Sequence, residues 1–454
     1  MLSLEIDTDG IAHVVIDMPD RSMNVCDWAF AESIAALADR LRGDTRVTGA
    51  ILASGKRDFM AGADIAILAD MTGPAVTPAD AMRRVARIGD AFRRLETIGK
   101  PVVAAAPGTA LGAGLELMLA CHHRIGARDD RARYGLPEVG LGILPGAGGT
   151  QRLPRLIGLR AALPLMLTGR PVTAPQALAC GLLDACVPPE ELIDAARAAL
   201  RGGRVPALAP WDRPGFRPPG PAIDSPEAHR LLAEAQAALA VAPGPGYPAP
   251  GVILACVRDG LGLPIDAALE VEREGFGRLA THPATPALIG LRFHARQRAA
   301  RAGLRSPSAD APPARACRAG LQRAAEHLLA EGWPAARIDA AARAFDIGLP
   351  PLADTPAAAA APPRGALQPL ARRLLLGGAL AVVAAGPGDP DIADVTAVEA
   401  GGFPAWTGGP LALIDRDGAA AVLAEASAAG LQIPEALRRH AEAGTRFRAG
   451  EGAG

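Results

Sequence analysis

The chain has 454 residues, enough for roughly two to four domains. Half of the residues are apolar, so a sizeable core can form, and a formal net charge of −1 excludes nucleic-acid binding through overall charge. Cys26, Cys121, Cys180, Cys186, Cys256 and Cys317 are scattered with no CxxC pair, a pattern of free thiols in a reducing compartment rather than of disulfides.

The N-terminus is acidic from Glu5 onward and lacks a basic stretch before an apolar run, so no signal peptide is expected and the expected location is cytoplasmic. Residues 2–7 and 11–17 alternate as two strands across Asp9-Gly10. Residues 27–42 form an amphipathic helix pattern with Asp27 at its N-cap, followed by a strand over 47–53. Residues 60–69 pass from a glycine turn into a short helix. A helix over 78–97 opens at Thr77-Pro78, then a strand over 101–106 runs into the glycine-rich turn Gly108–Gly112 and a helix near 112–120. Strand and helix alternate to about residue 202, an α/β pattern. Residues 203–222, rich in Pro, Gly and Arg, form a linker. Helical patterns follow at 226–240, 264–281, 284–302, 316–332, 335–345, 367–385 and 416–443. They are interrupted by breaker residues at 306–313 and by a low-complexity Ala/Pro tract at 350–364. The apolar run 374–385 is too short to span a bilayer.

Three segments carry chemistry. Phe59-Met60-Ala61-Gly62-Ala63-Asp64-Ile65 is a small-residue turn at a helix start, where free N–H groups attract negative charge. Gly108–Glu116 follows a strand and opens a helix. Tyr134–Thr150 contains Glu138 and a second glycine-rich run. Backbone N–H groups at Ala63 and Ala113 could converge on one thioester oxygen as an oxyanion hole, in which one good donor is worth about 3 kcal/mol of transition-state stabilisation. Glu116 sits among Leu115, Leu117, Met118 and Leu119, costly surroundings for a carboxylate unless it is paired or protonated. Each glutamate alone has an ordinary reading as a surface or capping residue; together, beside two glycine-rich turns, they point to acid/base work. Gly146-Ala147-Gly148-Gly149-Thr150-Gln151 lacks the last glycine of a dinucleotide loop. Cys121-His122-His123 has no partner cluster for a metal, and no GxSxG or P-loop occurs.

These segments together resemble the crotonase (enoyl-CoA hydratase/isomerase) superfamily over about residues 1–200. The most specific match is Tyr134–Arg152 continuing into Leu153-Pro154-Arg155-Leu156-Ile157-Gly158. The resemblance implies a crotonase-like β/α spiral domain, of α/β class, with oxyanion-hole amides at Ala63 and Ala113. It makes Glu116 and Glu138 the acid/base pair, and places Ala61, Asp64, Ile65 and Gly146 against the substrate. It implies syn addition of water to a trans-2-enoyl-CoA. Glu138 would protonate the α-carbon and Glu116 would deprotonate the attacking water, with Δ3–Δ2 isomerisation as a side activity. Ala113 stands where a glycine is common, and Glu116 and Glu138 are spaced slightly wider than in relatives.

The second half resembles part of a multifunctional fatty-acid β-oxidation enzyme, in which a hydratase is fused to a 3-hydroxyacyl-CoA dehydrogenase. The residues that carry this are Tyr247–Pro250, Leu261–Pro264, Glu272-Arg273-Glu274, Glu326–Phe345, Gly401–Pro404 and Gly408–Pro410. Between Arg305 and Arg315 such an enzyme would hold an NAD-binding domain; about ten residues stand there. Asn24 is the only asparagine, so the dehydrogenase's catalytic asparagine is missing too. The expected organisation is therefore a hydratase domain over 1–202, a linker and helical connector over 203–305, a breaker at 306–315, and an all-α remnant of the dehydrogenase over 316–454. NAD is not expected, CoA enters as part of the substrate, and no metal or other cofactor is implied. The implied partners are an acyl-CoA substrate, a second copy of the chain and a thiolase, with neither nucleic acid nor a transmembrane segment. Two alternatives stay open: another crotonase reaction on a CoA thioester (dehydratase, hydrolase or decarboxylase), and a silent acyl-CoA-binding scaffold.

Overall fold

The computed structural model describes residues 1–73, 75–241, 247–353 and 362–448. They form two compact units: Met1–Ala237 with Ala249–His282, and Ala238–Pro248 with Pro283–Gly454. The connector expected over 203–305 is thus divided between them.

The first unit is built on a six-stranded sheet. In chain order its elements begin with β1 (Leu2–Ile6), β2 (Ile11–Ile16), α1 (Trp28–Gly43), β3 (Gly49–Ser54), α2 (Ile65–Met71), α3 (Pro78–Glu96), β4 (Val102–Ala106) and β5 (Ala110–Leu111). They continue with α4 (Ala113–Leu119), β6 (His123–Ala127), β7 (Tyr134–Gly135), α5 (Gly149–Thr168), α6 (Ala174–Ala179), β8 (Ala185–Val187) and α7 (Leu192–Arg201). Helices α8 (Pro226–Val241), α9 (Ala249–Gly260) and α10 (Ile265–Ala280) follow.

The sheet runs β1-β2-β3-β4-β6-β8, with β1 antiparallel to β2 and every other neighbour parallel. Parallel neighbours need crossovers, which the intervening helices supply. Ile51, Ala53, Val103, Ala105 and Ile125 face Leu192 and Ala196 of α7. The alternate residues Ala50, Leu52, Val102 and Ala104 are buried on the opposite face, as the period of a strand demands. β4 is buried throughout, as a central strand covered on both faces must be. A short parallel pair, β5 with β7, stands apart from this sheet and holds the glycine-rich turn after β4 against the segment leading to Glu138.

The helix starts follow local chemistry. Asp27 accepts from the Phe30 N–H at the start of α1, and Thr77 with Asp80 makes a capping box at the start of α3. Residues Ala249 and Pro250, which lie outside the expected helical stretches, open a helix. Pro250 lies in the first turn of α9, where its missing N–H would have no helical partner in any case. α9 packs on α5, and α10 packs on α3 and α9.

The second unit is helical in its described residues. α11 (Ala284–Ile289) passes through a wider turn at Gly290–Ala295 into α12 (Arg296–Arg301). Then come α13 (Pro312–Ala330), α14 (Ala335–Ala344), α15 (Arg364–Ala384), α16 (Pro390–Gly401), α17 (Pro410–Asp417), α18 (Ala419–Ala428) and α19 (Glu435–Ala443). The helical stretch expected over 416–443 is three helices, because Gly418 has a positive φ of 86° and Pro434 restarts the chain after Gly430. The apolar run 374–385 belongs to the longer α15. By length and composition α15 could cross a membrane, yet two thirds of its most apolar window is buried inside the unit. Leu367, Leu370, Leu374 and Leu376 of α15 pack with Leu321 and Leu328 of α13. Residues 354–361 of the Ala/Pro tract lie outside the described residues.

Candidate active site

The site assembles where three loops meet. Phe59 N–H and Met60 N–H donate to Thr109 O at 2.9 and 3.2 Å, and Leu111 N–H donates to Met60 O at 3.0 Å, which fastens the 59–65 turn to the 108–112 turn. Ala61 N–H donates to Asn24 O at 2.9 Å. Asn24 is fully buried, and its side chain bonds Met18 N, Ile16 O, Ser54 Oγ and Phe59 O. The sole asparagine therefore ties the early loop, the sheet and the 59–65 turn together.

Gly112 is the pivot. Its φ of +53° with ψ of −127° is open to glycine but strained for other residues. A side chain on it would begin 2.4 Å from Glu138 Oε1 and 3.5 Å from Gly62 Cα. Gly62, Gly112 and the Glu138 carboxyl are thus in contact, and the peptide units leading to Ala63 and Ala113 lie close together beside that carboxyl. Neither Ala63 N–H nor Ala113 N–H has a hydrogen-bond acceptor among the described residues. The reason is local. Ala63 pairs with Cys26 in a parallel bridge that uses Cys26 N–H to Gly62 O and Asp64 N–H to Cys26 O, leaving Ala63's own N–H to the other side. Ala113 is the first residue of α4, where N–H groups have no helical partner.

Of the other expected contact residues, Ala61 and Ile65 flank this turn and are partly exposed. Asp64 caps α2 by accepting from Ala66 N–H at 2.7 Å and pairs with Arg21. Gly146 packs against α3 and α10: a side chain there would begin 2.6 Å from Val85 Cγ2 and 2.9 Å from Phe276.

Glu116 lies on α4, all of whose residues are buried. Its Oε1 accepts from Ala147 N–H at 2.7 Å and Gly149 N–H at 2.8 Å. Burial pushes its pKa up, and those two donors and the Arg152 charge hold the rise to about 7. Glu138 stands in the short 3-10 turn Pro137–Leu141. Its Oε2 is buried without a hydrogen-bond partner among the described residues. Burial first, then the neighbouring charge of Glu116 and that of Glu272, keep its proton on well above the ordinary carboxylate range. One carboxyl that retains its proton and one poised near neutrality, beside two unused N–H donors, can deliver and remove protons around a polarised carbonyl.

Glu272 was not among the residues expected at the site. It is buried on α10 and accepts from Gly148 N–H, Thr150 N–H and Thr150 Oγ. It lies 124 residues beyond Gly148, and only a charged residue on the apolar face of α10 hints at it in the sequence. Arg152 and Glu96 form a fully buried ion pair at 2.8 Å, and Arg152 also donates to Ala147 O, steadying the same loop. Away from the site, His122 accepts from Val102 N–H through Nδ1, while His123 lies beside Asp184.

The sheet with its helical crossovers, the paired turns and the two buried glutamates define a crotonase-type domain. Residues 7–202 match the family model described as enoyl-CoA hydratase/isomerase. Among curated proteins, the chain is 41% identical over 299 residues to a fatty acid oxidation complex subunit alpha of Shewanella amazonensis, covering 64% of this chain and 40% of the relative. A protein of the same name from Shewanella loihica is 39% identical over 290 residues, covering 63% and 40% respectively. The chain thus spans about two fifths of the length of these relatives. Of solved structures, Pseudomonas aeruginosa DspI is 32% identical, with 45% of this chain and 81% of that one covered and a TM-score of 0.41.

Proposed function

We propose that this chain is an enoyl-CoA hydratase that adds water syn across the double bond of a trans-2-enoyl-CoA in fatty-acid β-oxidation or related acyl-CoA catabolism. The observation that carries the reading is the pairing of two buried carboxyls of different proton affinity, Glu116 and Glu138, with two unspent backbone N–H groups at Ala63 and Ala113.

In this reading the two N–H groups bind the thioester oxygen and take up the negative charge that develops as the enolate forms. Ala61, Asp64, Ile65 and Gly146 belong to the turns that hold the acyl-CoA. Glu116, ionised as the pH passes about 7, removes a proton from the water that attacks the β-carbon. Glu138, still protonated, gives its proton to the α-carbon from the same side. Δ3–Δ2 isomerisation needs one carboxylate that takes the C2 proton, leaving a dienolate, and returns it at C4, so Glu138 in its ionised form would also support that reaction. No step requires a redox cofactor; CoA is part of the substrate. The helices beyond residue 315 are read as the remnant of a dehydrogenase's helical domain, retained for pairing with a second copy or with a thiolase.

Product analysis tests the reaction class. Incubated with trans-2-enoyl-CoA thioesters of several chain lengths, the protein is expected to yield the water adduct, seen by mass spectrometry as 3-hydroxyacyl-CoA. No NADH should form when NAD⁺ is added. Release of free CoA would assign a hydrolase, release of carbon dioxide from a carboxyacyl-CoA a decarboxylase, and binding without turnover a scaffold; each would replace the hydratase reading.

A further inference from the structure

Glu272 is a third buried carboxylate at the site, and it comes from α10, beyond the residues that match the family model. Its Oε1 accepts from Gly148 N–H at 2.6 Å, and its Oε2 accepts from Thr150 N–H at 2.8 Å and from Thr150 Oγ at 2.5 Å. Glu116 takes the two N–H groups in between, those of Ala147 and Gly149. Four consecutive backbone donors are therefore shared in alternation by two carboxylates, one from α4 and one from α10. Gly148 makes this crossing possible, since its φ of +108° turns the chain between the two acceptors.

The hairpin of α9 and α10 is fastened to α5 independently of Glu272. Gln151 Nε2 donates to Cys256 O at 2.9 Å, and Arg155 donates to Gly260 O at 2.8 Å and to Leu263 O at 2.9 Å. Glu272 thus reaches the loop from a helix that is already held in place. Buried carboxylates are costly, and several hydrogen bonds are needed to offset that cost. An apolar residue would have filled the same space on α10 without it.

We propose that Glu272 is a positioning residue for the hydration chemistry: by holding Gly148 and Thr150 it fixes the 147–150 strap so that Ala147 and Gly149 present their N–H groups to Glu116. This rests on the reading of Glu116 as the base. Glu272 acts through the strap and touches no substrate atom. Its influence on Glu116 has two opposing parts. Holding the strap supplies donors that favour ionised Glu116, whereas any negative charge on Glu272 would oppose it; burial and the Glu116 charge push the Glu272 pKa up to about 8, so Glu272 keeps most of its proton while Glu116 titrates near 7. The two direct donors act at hydrogen-bond distance, so the strap is the larger effect.

The test compares Glu272→Ala, Glu272→Gln and the unaltered chain in two readouts. The first is kcat and KM for enoyl-CoA hydration across pH. The second is the carboxyl ¹³C titration of Glu116, assigned by its loss in Glu116→Gln, which needs no turnover. Glu272→Ala is expected to lower kcat by about 10–100-fold with little change in KM, the scale of a small misplacement of a catalytic group. The Glu116 titration should move up by about one pH unit, the equivalent of one hydrogen bond lost. Glu272→Gln keeps a side-chain oxygen for one strap N–H and should recover part of both effects. A lower melting temperature with an unmoved Glu116 titration would show a merely structural role and overturn the proposal, as would a downward shift. If the unaltered chain does not hydrate, the hydratase reading fails while the titration still decides the role of Glu272.

Discussion

At the scale of single residues, the site depends on where protons sit. Glu116 must be ionised to act as a base. The hydration rate should therefore be low in acid and rise as pH increases through about 7. Glu138 must keep its proton, so the rate falls again at higher pH, once the proton that burial and the Glu116 charge retain is finally lost. A kcat profile against pH checks both limbs, and a rate flat from acid to alkaline conditions contradicts these roles. Gly112 gives a second prediction. Gly112→Ala would place a methyl carbon 2.4 Å from Glu138 Oε1 in a backbone conformation strained for alanine. The variant should lose nearly all activity and melt at a lower temperature. Substitution of Gly332, which also has positive φ but has nothing near it, should cost stability without touching hydration.

At the scale of elements, α5 and its leading loop are held by charges that water cannot reach. Arg152 pairs with Glu96, and Trp211 Nε1 donates to the same carboxylate at 3.1 Å. Arg152→Leu would leave the buried Glu96 with Arg93 as its remaining cation and release Ala147 O. Breaking such a pair costs about 3–5 kcal/mol, to be read from the midpoint of urea denaturation. A loss below 1 kcal/mol, the scale of an exposed pair, would contradict the buried network.

Much of this layer was legible in the sequence because it is written locally. Alternation marks β1 and β2, Thr77-Pro78 marks the start of α3, and the 59–65 and 108–116 segments show their small residues next to helix starts. What was not legible depends on distance along the chain. Glu272 meets Thr150 across 122 residues, and no periodicity records that meeting. Helix α9 is missing from the expected helical stretches for a different reason. Proline breaks a helix interior but fits its first turn, and composition alone does not say which applies.

At the scale of the whole molecule, the chain combines a stretch over 7–202 that matches the enoyl-CoA hydratase/isomerase family model with helices that lie outside it. The second unit carries its own buried acid. Asp394 accepts from Leu411 N–H and Ala412 N–H and pairs with Arg448. Burial pushes its pKa up to about 7, against the pull of Arg448 and the two donors. Because the folded value lies above the unfolded one, this group's contribution to stability is fully present below about pH 4 and is lost as pH rises through about 7. The second unit should therefore resist denaturant better at pH 5 than at pH 8, and Asp394→Asn should reduce that difference. Equal pH dependence in the variant would assign it to other groups.

The measurement that bears most directly on the hydratase reading is the hydration of crotonyl-CoA, followed by loss of the conjugated thioester absorbance. The unaltered chain, Glu116→Gln and Glu138→Gln are compared at one pH near neutrality. The account predicts turnover by the unaltered chain and a fall of ~10²–10⁴-fold in each variant, with acyl-CoA still bound. Turnover that survives both substitutions, or its absence from the unaltered chain at every acyl length, would contradict it.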